Sequence, residues 1–200
     1  MGIPEGAPAR TVYLLGGGTP VWDAKVPEII LQLKEKSLPY NVVVFDRSAK
    51  PNEYVRAGRN VFKGGVIEGA TVQGLLPGVD LVITRAGGGI VNDAIACRVP
   101  FVCVEEPNHL QVEMIRENCE KAGLTRTIRI DEFRERPIGE IVERELANQA
   151  GNTAILEAMQ RIRNGMEETV AARIIKLCSP KGGAFLRPAE RAGRSHRGQP

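Results

Sequence analysis

Two glycine triplets are the residues whose type and spacing could do chemistry. Gly16-Gly17-Gly18 leads into Thr19 and Pro20, and Gly87-Gly88-Gly89 follows Arg85 and Ala86. Adjacent glycines let a backbone approach a phosphate closely and offer their N–H groups to it. The first triplet fits neither the GxGxxG nor the GxxxxGK[ST] spacing, so by itself it is a weak signal. The second belongs to a longer pattern that reads strand, glycine turn, helix, strand from Asp80 to Pro100. Its helix is expected to begin at or just after Gly89, turning unpaired N–H groups and a positive dipole end toward an anion. Asp93 falls one turn beyond Gly89 on the same helix face, where a carboxylate can accept from vicinal hydroxyls. The alternative for Asp93 is a solvated helix residue near a favourable N-terminus.

Those turns need a scaffold, and the apolar runs supply one. Strands are expected at Thr11–Leu15, Tyr40–Asp46, Arg59–Phe62, Val79–Thr84, Val99–Val104 and Thr125–Ile130. Helices are expected at 27–36, 70–76, 90–97, 110–122, 138–147, 153–163 and 166–178. Six apolar strands alternating with helices make an α/β fold: a doubly wound, mainly parallel six-stranded sheet of Rossmann-like type. Ligands in such sheets bind beyond the carboxyl ends of the strands, where both glycine triplets fall.

The whole chain has 200 residues, enough for one core and too few for two full domains. Residues 1–10 read as an irregular leader, 11–178 as the domain and 179–200 as a basic, disordered tail. In that tail Lys181, Arg187, Arg191, Arg194 and Arg197 stand against Glu190, so the tail holds +4 of a net +3 and the body −1. A neutral body with dispersed tail charges points away from nucleic acid, and the tail reads as a solvated end. No apolar run approaches a membrane span and no signal peptide is evident, which points to the cytoplasm. Cys97, Cys103, Cys119 and Cys178 show no CxxC spacing and are expected to be free thiols. With His109 and His196 as the only histidines, no metal site is expected.

The run from Asp80 to Pro100 resembles the donor-binding signature of GT-B glycosyltransferases, family 28 in particular. Asp80 to Thr84, Ala86-Gly87-Gly88, Asp93-Ala94 and Val99-Pro100 carry the resemblance. After the next strand, the polar loop Pro107-Asn108-His109-Leu110-Gln111 continues it, and the likeness spans roughly residues 11–178. The resemblance implies a Rossmann-like C-terminal lobe that binds a UDP-sugar as substrate, with no cofactor. Gly16, Gly17, Gly18 and Thr19, with Gly87, Gly88 and Gly89, would cradle the diphosphate, and Asp93 would hold the ribose. The loop near Phe62 and Lys63 would meet the base, and Asn108, His109 and Gln111 would face the sugar. His109 as a plain loop residue and Gln111 as a helix cap remain the alternatives.

Three departures accompany the resemblance. Asp93 stands where the family usually has Glu, and Arg98 where it has a small residue before Val-Pro. Arg85 precedes the glycine turn where Ser, His or Gly is usual, and its guanidinium is long enough to reach a phosphate. The acceptor lobe, where inverting members keep their general base, has no counterpart in these residues. In size and architecture the chain resembles the soluble half of the two-subunit transferase that adds GlcNAc to a dolichol-linked acceptor. That implies a membrane-anchored, acceptor-binding partner which supplies the base and places the chain at the cytosolic face. The final helix, with Val170, Ile174, Ile175 and Leu177, either packs on the domain or docks a partner or second copy. A non-catalytic nucleotide-sugar-binding module and an epimerase-like relative are the competing readings.

Overall fold

The computed structural model describes residues 10–15, 19–46, 49–51, 53–65 and 74–178, with side chains to residue 165. The leader to Ala9, the Gly16–Gly18 loop, most of the expected 70–76 helix, the basic tail, Cys178's side chain and the apolar face of the last helix lie outside the described residues. The chain divides into two units, Met1–Arg161 and Ile162–Pro200, and the sheet belongs to the first.

The strands are β1 (Thr11–Leu15), β2 (Asn41–Phe45), β3 (Tyr54–Arg56), β4 (Val61–Gly64), β5 (Leu81–Arg85), β6 (Phe101–Val104) and β7 (Thr125–Ile128). The helices are α1 (Pro20–Lys34), α2 (Gly88–Cys97), α3 (Leu110–Lys121), α4 (Ile130–Glu135), α5 (Ile138–Ala147) and α6 (Gln149–Cys178). The sheet order is β3-β4-β2-β1-β5-β6-β7, parallel throughout except where β3 runs antiparallel to β4. The expected sheet had six strands; among the described residues it has seven. The addition is the three-residue edge strand β3, too short to announce itself by alternation.

The helical corrections have local causes. Helix α1 starts at Pro20, seven residues before the expected 27, because Thr19 takes an extended N-cap conformation and proline suits the first helical position. Pro27 lies inside α1, on its exposed side, where the missing N–H leaves one ladder bond unmade. Helix α4 was not expected, and the 153–163 and 166–178 segments are one helix, α6. Helix α2 begins at Gly88, one residue earlier than read from the sequence, with Gly87 as its N-cap.

Side chains alternate across the strands, so each strand feeds both sheet faces. On one face Val12, Leu14, Val42, Val44, Leu81, Ile83, Val102 and Val104 pack into a core with Trp22, Ile29 and Leu33 of α1 and with residues of α4 and α5. Trp22 meets Phe133 of α4 with ring centroids 4.7 Å apart and planes tilted by 44°. Burial of Trp22, Ile29, Leu33 and Phe133 at 2% exposure or less contributes about 2 kcal/mol each. The buried Lys25 keeps its charge satisfied, with Nζ 2.6 Å from Glu28 Oε1 and 2.8 Å from the Arg134 carbonyl. At the amino end of the sheet, Asp80 accepts the Thr11 N–H at 2.7 Å and ties the start of β1 to the segment entering β5. Asp80 thus serves the scaffold from the edge opposite the glycine turns. Among the described residues, no helix is long and apolar enough to cross a membrane and no group of His, Cys, Asp and Glu could hold a metal ion. Cys97, Cys103 and Cys119 form no disulfide among the described residues, and burial pushes the Cys103 thiol up to about 12.

Two positions set expectations for stability. Arg98 ends α2 in the left-handed region (φ 56°, ψ 47°), its N–H shared between the Ala94 and Ile95 carbonyls. That conformation is costly for a residue with a Cβ, so Arg98→Gly should stabilise the protein by about 1 kcal/mol in thermal denaturation. At Gly58 an added Cβ would lie 2.7 Å from Lys34 Cα and 2.8 Å from the Lys34 carbonyl oxygen, both backbone. Gly58→Ala should therefore cost about 1–3 kcal/mol in the same measurement.

Candidate functional site

Sheet order locates the site. From β1 the chain builds outward through β2 and β4 on one flank, and from β5 through β6 and β7 on the other. The crevice therefore opens at the carboxyl ends of β1 and β5, the topological switch point. Leu15 and Thr84 are register partners at that edge. The Thr84 hydroxyl lies against the carbonyls of Leu15 and Arg85, joining the two strand ends across the seam.

Two helix N-termini face this edge. In α1, Asp23 N–H donates to the Thr19 carbonyl at 2.9 Å, but the Thr19 side chain caps nothing. Thr19 is 3% exposed and its Oγ1 has no hydrogen-bond partner. In α2, Gly87 is an extended N-cap (φ −71°, ψ 135°) without a side-chain cap, and the first turn holds no acidic residue. The Val91 N–H bonds back to the Gly87 carbonyl at 3.1 Å, so the N–H groups of Gly88, Gly89 and Ile90 precede the intrahelical ladder.

The three glycines are not demanded by the fold. None has a positive φ. Among the described residues, a Cβ on Gly87 would sit 3.8 Å from Ile90 Cγ2, one on Gly88 3.8 Å from Ile115 Cδ1, and one on Gly89 within 4 Å of nothing, so none of these crowds the turn. Asp93 lies half-buried one turn further along α2.

The neighbouring strand adds a second group. Arg85 ends β5 in register with Val104 of β6, and its Nη1 is 4.0 Å from Glu106 Oε2. The segment after β6 is pinned at several points. Glu106 N–H donates to Glu113 Oε1 at 2.7 Å, and Arg116 Nε holds Glu113 Oε2 at 2.9 Å. Arg116 also reaches Glu120 Oε2 at 2.9 Å and Thr127 Oγ1 at 3.2 Å. His109 N–H donates to the Glu106 carbonyl at 2.9 Å, and His109 is the N-cap of α3 without using its side chain as a cap. Asn108 and Gln111 are exposed beside it. Glu105 turns the other way, its Oε2 accepting the first N–H of α4 from Ile130 at 3.1 Å.

Arg85, Gly87–Gly89, Asn108, His109 and Gln111 thus come from two adjacent strand ends at one edge of the sheet, with Thr19 across the seam. Phe62 and Lys63 do not join them. They lie inside β4 rather than in the expected loop, paired to both neighbouring strands and two strands away from β1. Their side chains point to opposite faces. Lys63 pairs with Asp46 at 3.5 Å and lines, with α1 residues, a separate groove of about 670 Å³. The misplacement is one of boundary: the strand expected at 59–62 runs over Val61–Gly64. Sequence reasoning also passed over Glu106 and Glu113. Their acidic types were visible, but the contacts that define them cross between elements.

Neither a family model nor a curated protein sequence matches the chain. Solved structures do. SnogD, a glycosyltransferase from Streptomyces nogalater, is 19% identical, with a TM-score of 0.55 over 90% of this chain and 48% of that one. The glycotransferase of kitacinnamycin is 18% identical, with a TM-score of 0.59 over 88% of this chain and 44% of its own. VinC, a glycosyltransferase solved in complex with DTDP, is 17% identical, with a TM-score of 0.57 over 85% and 42%. The chain spans less than half the length of each. At these identities the likeness is one of fold: the seven-stranded, mainly parallel sheet and its helices are a Rossmann-like lobe of the kind found in GT-B glycosyltransferases.

Proposed function

We propose that this chain is the donor-binding lobe of a glycosyltransferase and that its crevice takes a nucleoside-diphosphate sugar, a UDP-hexose or UDP-GlcNAc. The observation that carries the reading is the start of α2. It presents uncapped N–H groups at the switch point, under glycines that neither backbone conformation nor packing requires. An anion is the ligand that such a helix end favours, by roughly 0.3–2 kcal/mol before direct hydrogen bonds are counted. The structural neighbour VinC in complex with DTDP lends support, as a protein of the same fold that holds a nucleoside diphosphate.

In this reading the diphosphate lies over Gly87–Gly89 and against the Gly16–Thr19 loop, with Arg85 at its side. Asp93 accepts the ribose hydroxyls, and Asn108, His109 and Gln111 read the sugar. The base is met near the carboxyl end of β4, beyond Phe62 and Lys63. Transfer is displacement at the anomeric carbon: the acceptor oxygen bonds to that carbon as its bond to the diphosphate oxygen breaks. The leaving group's charge falls on the α2 N–H groups and the Arg85 guanidinium. The base that removes the acceptor proton comes from an acceptor-binding lobe on a partner, which brings the chain to a membrane surface.

Isothermal titration with UDP, dTDP and UDP-GlcNAc tests the reading, and no binding at millimolar ligand would sink it. Gly88→Ala with Gly89→Ala should raise thermal stability by about 1 kcal/mol, because alanine favours helix and has room here. The same pair should weaken nucleotide affinity by about tenfold, the equivalent of one lost contact. Unchanged affinity would place the diphosphate elsewhere. Asp93→Ala should weaken UDP binding by about tenfold while Asp93→Glu retains it, since a carboxylate hydrogen bond is worth roughly 1.5–3 kcal/mol. Equal behaviour of the two variants would remove Asp93 from the ribose site.

A further inference from the structure

We infer that the outer side of α1 is a self-association surface, through which two copies of this chain pair antiparallel about a two-fold axis. Asp23, Pro27 and Leu31 recur every four residues of α1, with Ile30 and Lys34 beside them, and so form one stripe along the helix. Asp23, Pro27 and Leu31 are exposed; Ile30 and Lys34 are half-buried. All five line the groove of about 670 Å³ to which Asp46 and Lys63 also contribute.

Topology accounts for the groove. The steps from β1 to β2 and from β2 to β4 run the same way across the sheet, so right-handed crossovers bring both connections to the same face. Helix α1 fills the first connection. The described part of the second carries the edge strand β3 and no helix, so the place beside α1 lacks the covering that a parallel sheet normally receives. Leu31, 62% exposed, and Val55, 41% exposed, are two of the four exposed large apolar side chains among the described residues. Val55 is the register partner of Lys63 and therefore shares its face. A contiguous apolar surface rimmed by charge is the mark of an interaction site.

The charges identify the partner. Asp23 stands in the first turn of α1 and Lys34 in the last, about 16 Å apart along the axis, with Pro27, Ile30 and Leu31 between them. Turned end for end, this stripe is its own complement: Asp23 of each copy meets Lys34 of the other, and Pro27 meets Leu31. Self-complementarity of this kind is what a two-fold interface requires, whereas a partner of one charge sign would meet a like charge at one end. Lys34 can exchange its present pairing, because the contact with Glu35 spans 3.8 Å with the two side chains 39% and 83% exposed. Asp46 and Lys63 pair with each other at 3.5 Å, which leaves the two ends of the stripe to set the orientation. The association does not depend on what the crevice binds.

Sedimentation velocity on the full chain, from micromolar to several hundred micromolar, tests the inference. A surface of this modest extent should give a dimer with a dissociation constant on the order of 10–100 µM. Leu31→Asp should weaken it at least tenfold, yet melt like wild type at concentrations where both are monomeric, since the side chain is exposed there. Asp23→Lys and Lys34→Asp should each weaken the dimer by about tenfold, and the double variant carrying both should recover most of the wild-type affinity. Asp23→Asn and Lys34→Gln, which remove charge at similar size, should each weaken it by about threefold and keep the charge pairing measurable if a reversed-charge variant fails to fold. A chain that is monomeric throughout overturns the inference, as does a dimer that Leu31→Asp leaves intact. Loss of the dimer in the folded reversed-charge variants without recovery in the folded double variant overturns the antiparallel pairing, and the inference with it. So does a dimer that neither neutral variant weakens.

Discussion

The pairing of β1 with β5 is the contact on which the remaining architecture depends. It joins residues 12–15 to residues 81–84, side by side and parallel, and so fuses a β4-β2-β1 half to a β5-β6-β7 half. The two halves wind in opposite directions from this seam, and in such sheets a gap opens above the shared carboxyl end of β1 and β5. The Thr84 hydroxyl closes the bottom of that gap against the Leu15 and Arg85 carbonyls. Having one proton, it donates to one of them at a time. Everything placed at the crevice, including the starts of α1 and α2, takes its position from the shared end of these strands.

Electrostatics divides the crevice into regions of different character. The start of α2 has N–H groups and no acidic side chain in its first turn, a surface of positive potential built without lysine. Beside it, the segment after β6 holds Glu105, Glu106 and Glu113, each with a different task. Glu105 caps a helix across the chain, Glu113 clamps a backbone N–H, and Glu106 is buried with its Oε2 in an ion pair with Arg85. Arg85 borders both regions.

Much of this was legible in the chain itself. Runs such as Leu81–Ile83 and Phe101–Val104 are apolar at every position, as strands buried on both faces must be, and the glycines after the first of them mark where strand gives way to helix. Gly123, with φ 70°, stops α3 where the sequence places its end. What escaped has physical reasons too. β3 is three residues long and is stabilised by pairing with β4 rather than by its own pattern. Helix α4 takes its cap from Glu105, 25 residues earlier, so no local capping signal exists to be read. The sequence shows a carboxylate at Glu106, but only the fold shows that it is buried and short of a donor.

The strand order also bears on how the chain reaches its fold. Among the described strands, only β3 and β4 pair across a short connection; the remaining pairs join strands separated by a crossover, and the β1–β5 seam bridges more than sixty residues. Such pairings must wait for loop closure, which slows folding in proteins of high contact order. The two flanks can each condense before they meet. The crevice exists only after they have met, so a ligand held there stabilises the finished union of the two halves rather than either half alone.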